Sequence, residues 1–248
     1  MKTILISNDD GIDSPGIKAL EEALSPLGEI FVVAPDREQS ACSHALTLQH
    51  PLRAQHLDDH HLAVDGTPSD CVHLALNGLF NGKKFDLIAS GINKGGNMGD
   101  DISYSGTVSA AMEGTLFGVP SFAISLDARE DFLWEAPGQW AFRIARCLLE
   151  NGLPPNTLWN VNVPNLALGE ILGCKPARQG KRIYGDSVAE KLDPRGRSYF
   201  WIGGQELGYE PIEGSDLEVV ANRYVAITPV NLDMTDYKQL ALMAGMKI

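Results

Sequence analysis

Two adjacent carboxylates, Asp9 and Asp10, stand directly behind the apolar run Thr3-Ile4-Leu5-Ile6, inside Ser7-Asn8-Asp9-Asp10-Gly11. A short buried strand that ends in two acids brings like charges together, which costs stability unless something neutralises them. A divalent cation does so, and an oxygen-only site suits hard ions such as Mg2+ or Mn2+. Asn-Asp-Asp-Gly is equally good turn chemistry, so these residues alone leave a metal site and a plain surface turn both open.

Other segments offer matching donors. Residues 91–101, Gly-Ile-Asn-Lys-Gly-Gly-Asn-Met-Gly-Asp-Asp, are expected to form a loop between a strand and a helix. Glycine lets backbone approach a ligand closely, and Asn93 and Asn97 can ligate a metal through oxygen or donate to a phosphate. A flexible surface loop is the other reading. Ser105-Gly106-Thr107 opens the next helix, and a helix start carries unsatisfied N–H groups that hold anions. Simple N-capping by Ser105 or Thr107 is compatible with that role. No GK[ST] is present, which excludes a Walker loop. Ser40 can lend a hydroxyl oxygen to a hard cation, and Ser43 and His44 can meet substrate. Arg37 is expected to pair with a neighbouring acid such as Asp36 or to touch phosphate. The stretch Asp58-Asp59-His60-His61 reads as a solvated loop, and His73 as a packed or exposed helix residue. Trp134, Trp140, Trp159 and Trp201 read as core or interface anchors.

These residues need a scaffold that gathers them. Apolar runs predict strands over 3–7, 30–34, 85–90, 121–126 and 159–163. Helical spacing and start or stop signals predict helices over 15–27, 71–79 and 108–117, and one marked by Trp140, Ile144 and Leu148. Alternating strands and helices imply an α/β fold, Rossmann-like and doubly wound, with a mostly parallel sheet covered on both faces. Ligands of such sheets bind at the carboxyl ends of the strands, where the loops 8–16, 35–44 and 91–104 are expected to meet. From about Lys175 the character changes. Arg182-Ile183-Tyr184 and Ser198–Ile202 flank the turn signal Asp193-Pro194-Arg195-Gly196-Arg197, which predicts a protruding hairpin over 181–204. A helix over 216–222 and a strand over 224–228 follow. The expected organisation is one α/β unit over 1–248, with a carboxyl-terminal hairpin and arm over 175–248.

At 248 residues and 44% apolar content, the chain has the make-up of an ordinary globular protein. Its net charge of -12 and lack of a basic patch argue against a partner of nucleic acid polymer. No apolar run reaches the roughly 20 residues that span a bilayer, so no membrane association is expected. Met1-Lys2 leads straight into a strand, unlike a secretory signal. The four cysteines form no CxxC pair. A cytoplasmic protein with reduced thiols is the expectation.

Five stretches resemble the survival protein SurE family of 5'-nucleotidases. They are Ile6–Gly11; Ala34-Pro35-Asp36-Arg37 with Ser40; Gly66–Val72; Ser90–Asn93 continuing through Tyr104–Val108; and Ala110-Ala111-Met112-Glu113-Gly114. Ser215–Glu218 and Tyr224–Pro229 extend the resemblance to the carboxyl end. It implies a metal-dependent phosphatase acting on nucleoside 5'-monophosphates, with 3'-nucleotides and short polyphosphate as further candidate substrates. One divalent cation per subunit, Mg2+ or Mn2+, would be held by Asp9, Asp10, Ser40 and Asn93. Asp9 and Asp10 would also be the catalytic pair. Asn97, Ser105, Gly106 and Thr107 would bind phosphate, and Asn8 and Ser43 would line the site. The resemblance further implies a homodimer or homotetramer that exchanges carboxyl-terminal elements. Two departures stand out: Ser14, where alanine is usual, and Arg223, where glycine is usual; neither is expected to touch the proposed ligands.

Three other functions bear comparison with these residues. A dinucleotide oxidoreductase lacks its GxGxxG after a strand, and a serine hydrolase lacks the first glycine of GxSxG at Ser105. A nucleotide-binding regulator without turnover stays open at this point.

Overall fold

Ile4 and Ile6 face one side of the first strand and Leu5 the other, and all three are completely buried. A strand buried on both faces needs a continuous apolar run rather than an alternating one, which is what Thr3–Ile6 supplies. The structure, a computed structural model, describes residues 1–80, 82–185, 188–202 and 206–246. In chain order the first half contains β1 (Lys2–Ser7), α1 (Pro15–Leu24), β2 (Gly28–Pro35), β3 (Ala54–His56), β4 (His61–Val64), α2 (Pro68–Leu74), β5 (Leu87–Lys94) and α3 (Gly106–Leu116). The second half contains β6 (Ser121–Asp127), α4 (Glu135–Asn151), β7 (Thr157–Pro164), β8 (Cys174–Pro176), β9 (Arg182–Tyr184), β10 (Val188–Leu192), β11 (Ser198–Ile202), β12 (Glu206–Tyr209), α5 (Asp216–Ala221), β13 (Val225–Asn231) and α6 (Tyr237–Met243).

Nine strands form one sheet in the order β3-β4-β2-β1-β5-β6-β7-β13-β8. The six from β4 to β7 run parallel, while β3 and β13 pair antiparallel with their neighbours β4 and β7. From β1 the chain moves outward through β2 and β4, then crosses back to β5 on the other side of β1. The direction of winding therefore reverses between β1 and β5, and the crevice at their carboxyl ends is where such sheets bind ligands. Helices α1 and α4 pack together on one face, α2 and α3 on the other. The first face is filled by Ile4, Ile6, Ile17, Leu20, Leu24 and Trp140 among others, the second by Leu5, Phe31, Val33, Leu62 and Ile88. Each such side chain contributes about 1.5–3 kcal/mol of burial free energy. Helix α3 is buried over Gly106–Thr115, and its Gly, Thr, Ser and Ala side chains let it sit tightly between α2 and the sheet.

Several boundaries differ from expectation. The helix expected over 15–27 ends at Leu24 and closes in a 3-10 turn, Ser25–Leu27, because Pro26 cannot continue it. Helix α2 starts at Pro68 under a Thr67–Asp70 capping box and widens into a π turn over Ala75–Leu79. Strand β5 does not stop at Ser90. It continues through Gly91 to Lys94, with its register against β6 shifting between Ser90 and Asn93. Gly91 makes this passage possible: its φ is +137°, and a Cβ would collide with the carbonyl oxygen of Ile124. Asn93 is therefore a strand-end residue, not a loop residue. His60-His61 is not a free loop either. His61 begins β4, and its imidazole bonds Asp58 and Glu21 at 2.8 and 2.9 Å.

The expected hairpin is two paired ribbons. The turn at residues 193–197 joins β10 to β11, with Leu192 opposite Ser198, whereas β9 pairs with β12. A strand pairs first with whatever flanks its turn, and Val188–Leu192 was overlooked because Ala, Glu and Lys are weak strand formers. Gly203 and Gly204, the expected end of the hairpin, lie outside the described residues. Trp140 is in the core, Trp134 and Trp159 pack against it, and Trp201 is exposed on β11. Among the described residues no helix is long and apolar enough to cross a membrane.

Candidate active site

At the carboxyl ends of β1, β2, β5 and β6 lies an open cavity of about 570 Å³. Its walls include Asp9 and Asp10 after β1, Ser40 after β2, Asn93 at the end of β5, and Asn97 and Ser105 on the way to α3. The four residues expected to hold a cation thus share one cavity with two of those expected to hold phosphate.

Asp9 is almost fully buried. One carboxylate oxygen accepts a short hydrogen bond from the Thr107 hydroxyl, and the Thr107 backbone N–H supports the same group. Burial raises its pKa from 3.8 to about 6; the Thr107 hydroxyl bond opposes the rise and the Asp10 charge adds to it. Asp10 is half-buried, accepts from the Lys94 backbone N–H at 3.2 Å, and is also raised, by burial first and by the charge of Glu38. The two acids are held where their ionised forms are disfavoured, and a cation reverses that preference. The donor set fits a hard divalent ion: two carboxylates, the Ser40 hydroxyl and the Asn93 amide oxygen, all oxygen. Asn93 donates its amide N–H to the Gly95 carbonyl at 2.8 Å, which turns its oxygen into the free end of the amide. Among the described residues no three His, Cys, Asp or Glu side chains gather as a metal-holding group.

Helix α3 begins against this pair. Ser105 is its N-cap, and its hydroxyl accepts from the Val108 N–H at 3.0 Å. Gly106 follows, where a Cβ would lie 2.8 Å from both Asp9 Cβ and Cys42 Sγ. Only glycine lets the helix start approach Asp9 so closely. Cys42 shares this corner, and burial together with the Asp9 charge pushes its thiol up to about 11. In this structure the Thr107 hydroxyl is committed to Asp9, so it positions a carboxylate.

The remaining expected site residues sit behind the cavity wall. Asn8 is completely buried and donates its amide to the Gly11 carbonyl at 3.0 Å and to the Ser14 hydroxyl at 2.7 Å. It shapes the Asp9–Gly11 turn. Ser14, not expected to touch the proposed ligands, bonds Asn8 and also caps α1. Ser43 lies in the left-handed region (φ 53°), its N–H bonded to the Tyr104 carbonyl at 3.1 Å. Arg37 pairs with Asp36 at 3.5 Å on the surface. Arg223 has φ 68°, the conformation that explains a glycine preference at its position.

Several supporting residues escaped the reading of the sequence. Asn160 and Asn162 of β7 both donate to the Asn97 carbonyl, at 2.7 and 3.0 Å, and Asn162 Oδ1 accepts from the Asn97 N–H at 2.8 Å. The Asn97 side chain donates to Ser125 at 2.9 Å. Two asparagines two apart in an apolar central strand share one face and must be hydrogen-bonded if buried, a signal available from sequence. Asp216 accepts from the N–H groups of Gly99, Gly180 and Leu217, each at 2.9 Å. Arg182 and Tyr184 both bond Asp101. The arm thus holds the 3-10 turn Gly99–Ser103 that feeds α3. Glu113, deep in α3, accepts from His44 at 2.7 Å and from His73 at 2.8 Å. Burial would raise its carboxyl, but the two imidazoles outweigh that and hold it below the usual range.

Known proteins share this arrangement of chain. Residues 4–186 match the family described as Survival protein SurE. The chain is 49% identical over 246 residues to the 5'-nucleotidase SurE of Geotalea daltonii, covering 99% of each protein. It is 51% identical over 242 residues to that of Geobacter metallireducens, covering 97% of this chain and 95% of the relative. The crystal structure of the SurE protein from Aquifex aeolicus matches with a TM-score of 0.88 at 47% identity, covering 97% of this chain and 98% of that one. With a family match over most of its length and relatives of this identity and coverage, the chain belongs to the SurE family.

Proposed function

We propose that the chain is a 5'-nucleotidase that uses one divalent cation, Mg2+ or Mn2+, to hydrolyse nucleoside 5'-monophosphates directly to nucleoside and phosphate. Membership of the family, whose relatives carry the name 5'-nucleotidase SurE, supports the reaction class. The observation that carries the cation requirement is the shared cavity: Asp9, Asp10, Ser40 and Asn93 line it together with Asn97 and Ser105. Bound there, a divalent cation supplies Lewis-acid activation of the phosphoryl group and of the attacking water. Asp9 and Asp10 would hold it, and between them would take up the proton of the attacking water. In this reading the positive end of the α3 dipole at Ser105 and Gly106, and the Asn97 Nδ2 proton that is not given to Ser125, would meet the charge that develops on the phosphoryl oxygens. Thr107 keeps Asp9 in place, and Asn8 keeps the turn that carries both acids. In this reading 3'-nucleotides and short polyphosphate are further substrates. The chain acts in the cytoplasm as a homodimer or homotetramer, one α/β unit over 1–248 with the 175–248 arm exchanged between copies.

The test is phosphate release from AMP and GMP with Mn2+, Mg2+ or EDTA. Release with either cation and none with EDTA supports the proposal. Nucleotide binding without turnover under every condition sinks it in favour of a regulator.

A further inference from the structure

Residues 36–53 join β2 to β3 without a helix or strand of their own, and most of them are exposed. Loops of this length inside a sheet domain are uncommon and usually functional. This one carries Ser40, whose hydroxyl donates to Glu38 of the same loop at 2.6 Å. The place of Ser40 relative to Asp9 is therefore set by the backbone anchors on either side. Upstream, the Gln39 N–H bonds the Asp9 carbonyl at 2.8 Å. Downstream, the chain passes through Ala41 (φ 55°) and Ser43 (φ 53°), two non-glycine residues in the left-handed region. Such conformations are strained and persist only where neighbours over-determine them.

One neighbour is the Tyr104 carbonyl, which accepts from the Ser43 N–H at 3.1 Å, and two more are carboxylates of the helices beneath. Asp70 accepts from the Thr47 N–H at 2.8 Å and from its hydroxyl at 2.6 Å. Glu113, its side chain 4% exposed, takes His44 Nε2 on one oxygen and His73 Nδ1 on the other. His73 packs edge-on against Phe117 with centroids 5.2 Å apart, so one carboxylate oxygen ties α3 to α2 and the other is left for the loop.

We propose that Glu113 is a positioning residue for the candidate cation site: by gripping His44 it locks the strained turn that delivers Ser40 to the rim formed by Asp9, Asp10 and Asn93. This rests on the reading of Ser40 as a cation ligand. A purely structural alternative, in which Glu113 only ties α2 to α3 through His73, makes opposite predictions for the two histidines.

The experiment uses the full chain and two readouts: amide hydrogen exchange over residues 39–47 without cation, and Mn2+ affinity by calorimetry. His44→Ala and Glu113→Gln are expected to accelerate exchange at the Ser43 and Thr47 amides and to weaken Mn2+ binding about tenfold, the lower end of what losing a ligand-orienting partner costs. His73→Ala is expected to leave Mn2+ binding within about twofold. Ser40→Ala combined with His44→Ala is expected to bind no more weakly than Ser40→Ala alone, since both act through one ligand. Additive losses in the double variant overturn the proposal. So does unchanged Mn2+ affinity in His44→Ala when Ser40→Ala lowers it, or an effect of His73→Ala equal to that of His44→Ala. Unchanged Mn2+ binding in Ser40→Ala itself removes Ser40 from the ligand set and this proposal with it, a failure that the one variant identifies. If Glu113→Gln does not fold, His44→Ala on the exposed loop carries the same test.

Discussion

Asp9→Asn is expected to make the cation-free protein more stable while abolishing its phosphate release. In the folded chain the Asp9 carboxyl is raised from 3.8 to about 6, chiefly by burial. Between those two pH values the native state keeps a proton that the unfolded chain has released. Stability therefore falls as pH rises from about 4 to about 6 and stays low above that, by about 3 kcal/mol in full. Asparagine has no proton to lose and no charge to bury. Its amide must still settle beside the Thr107 hydroxyl, so the expected gain at pH 8 is about 1–3 kcal/mol, at about 2–4 °C in Tm per kcal/mol for a chain of this size. Asp10, raised in the same sense, also loses a like-charged neighbour. The assay is urea unfolding of both proteins in EDTA from pH 4 to pH 8, repeated with Mn2+. The variant should gain on the native protein as pH rises, and Mn2+ should stabilise the native protein alone. Equal stability at pH 8, or a difference that does not change with pH, refutes the view of Asp9 as a buried acid awaiting a cation. Equal stabilisation of both by Mn2+ refutes the ligand assignment.

Gly106→Ala places a methyl 2.8 Å from Asp9 Cβ and Cys42 Sγ. Overpacking of this kind costs about 1–3 kcal/mol, and a displacement near the reacting groups lowers kcat/KM by a factor on the order of 100. Near-normal kinetics in a folded Gly106→Ala would show that the helix start need not touch Asp9. On the arm, Val188 lies opposite Ile202, and Phe200 and Leu192 share that face, all of them exposed. A lone two-stranded ribbon is marginal in water, and an apolar face of this kind marks an interaction surface. Phe200→Ser with Ile202→Ser is expected to lower the mass of the proposed oligomer seen by light scattering to that of a monomer; an unchanged oligomer mass would remove this face of the arm from the subunit contact.

How much was legible in the sequence depends on whether a signal is local. Asp9, Asp10 and the start of α3 announce themselves because strand, acid pair and helix cap are contiguous, and strand ends in a doubly wound sheet converge on one edge. Asn93 was assigned the right edge and the wrong element, since nothing local says that β5 continues past a glycine whose φ is +137°. The short strands β3 and β4 at one side of the sheet are not legible because His60-His61 among acids looks solvated, and only the pairing of β4 with β2 makes His61 a strand residue. The clamp formed by His44, His73 and Glu113 joins three residues from three elements, each with an ordinary local explanation. Only the packing of α2 on α3 reveals it.

Perturbed acidity alone would not have found the site. Asp216 is raised by burial just as Asp9 and Asp10 are. What separates them is the fate of their oxygens. Asp216 is fully buried, and three backbone N–H groups occupy it, so it pins the turn before α3 to the root of the arm. Glu113 and Asp70 are likewise filled by partners within the fold. Asp9 and Asp10 alone among these acids border the cavity. The chain thus uses the same chemical group in two ways. Acids saturated by donors fix loops, and the acids left facing an open cavity at the winding reversal are the ones proposed to take a cation, their cost in stability carried by the hydrophobic packing of β1 and β5 on both faces of the sheet.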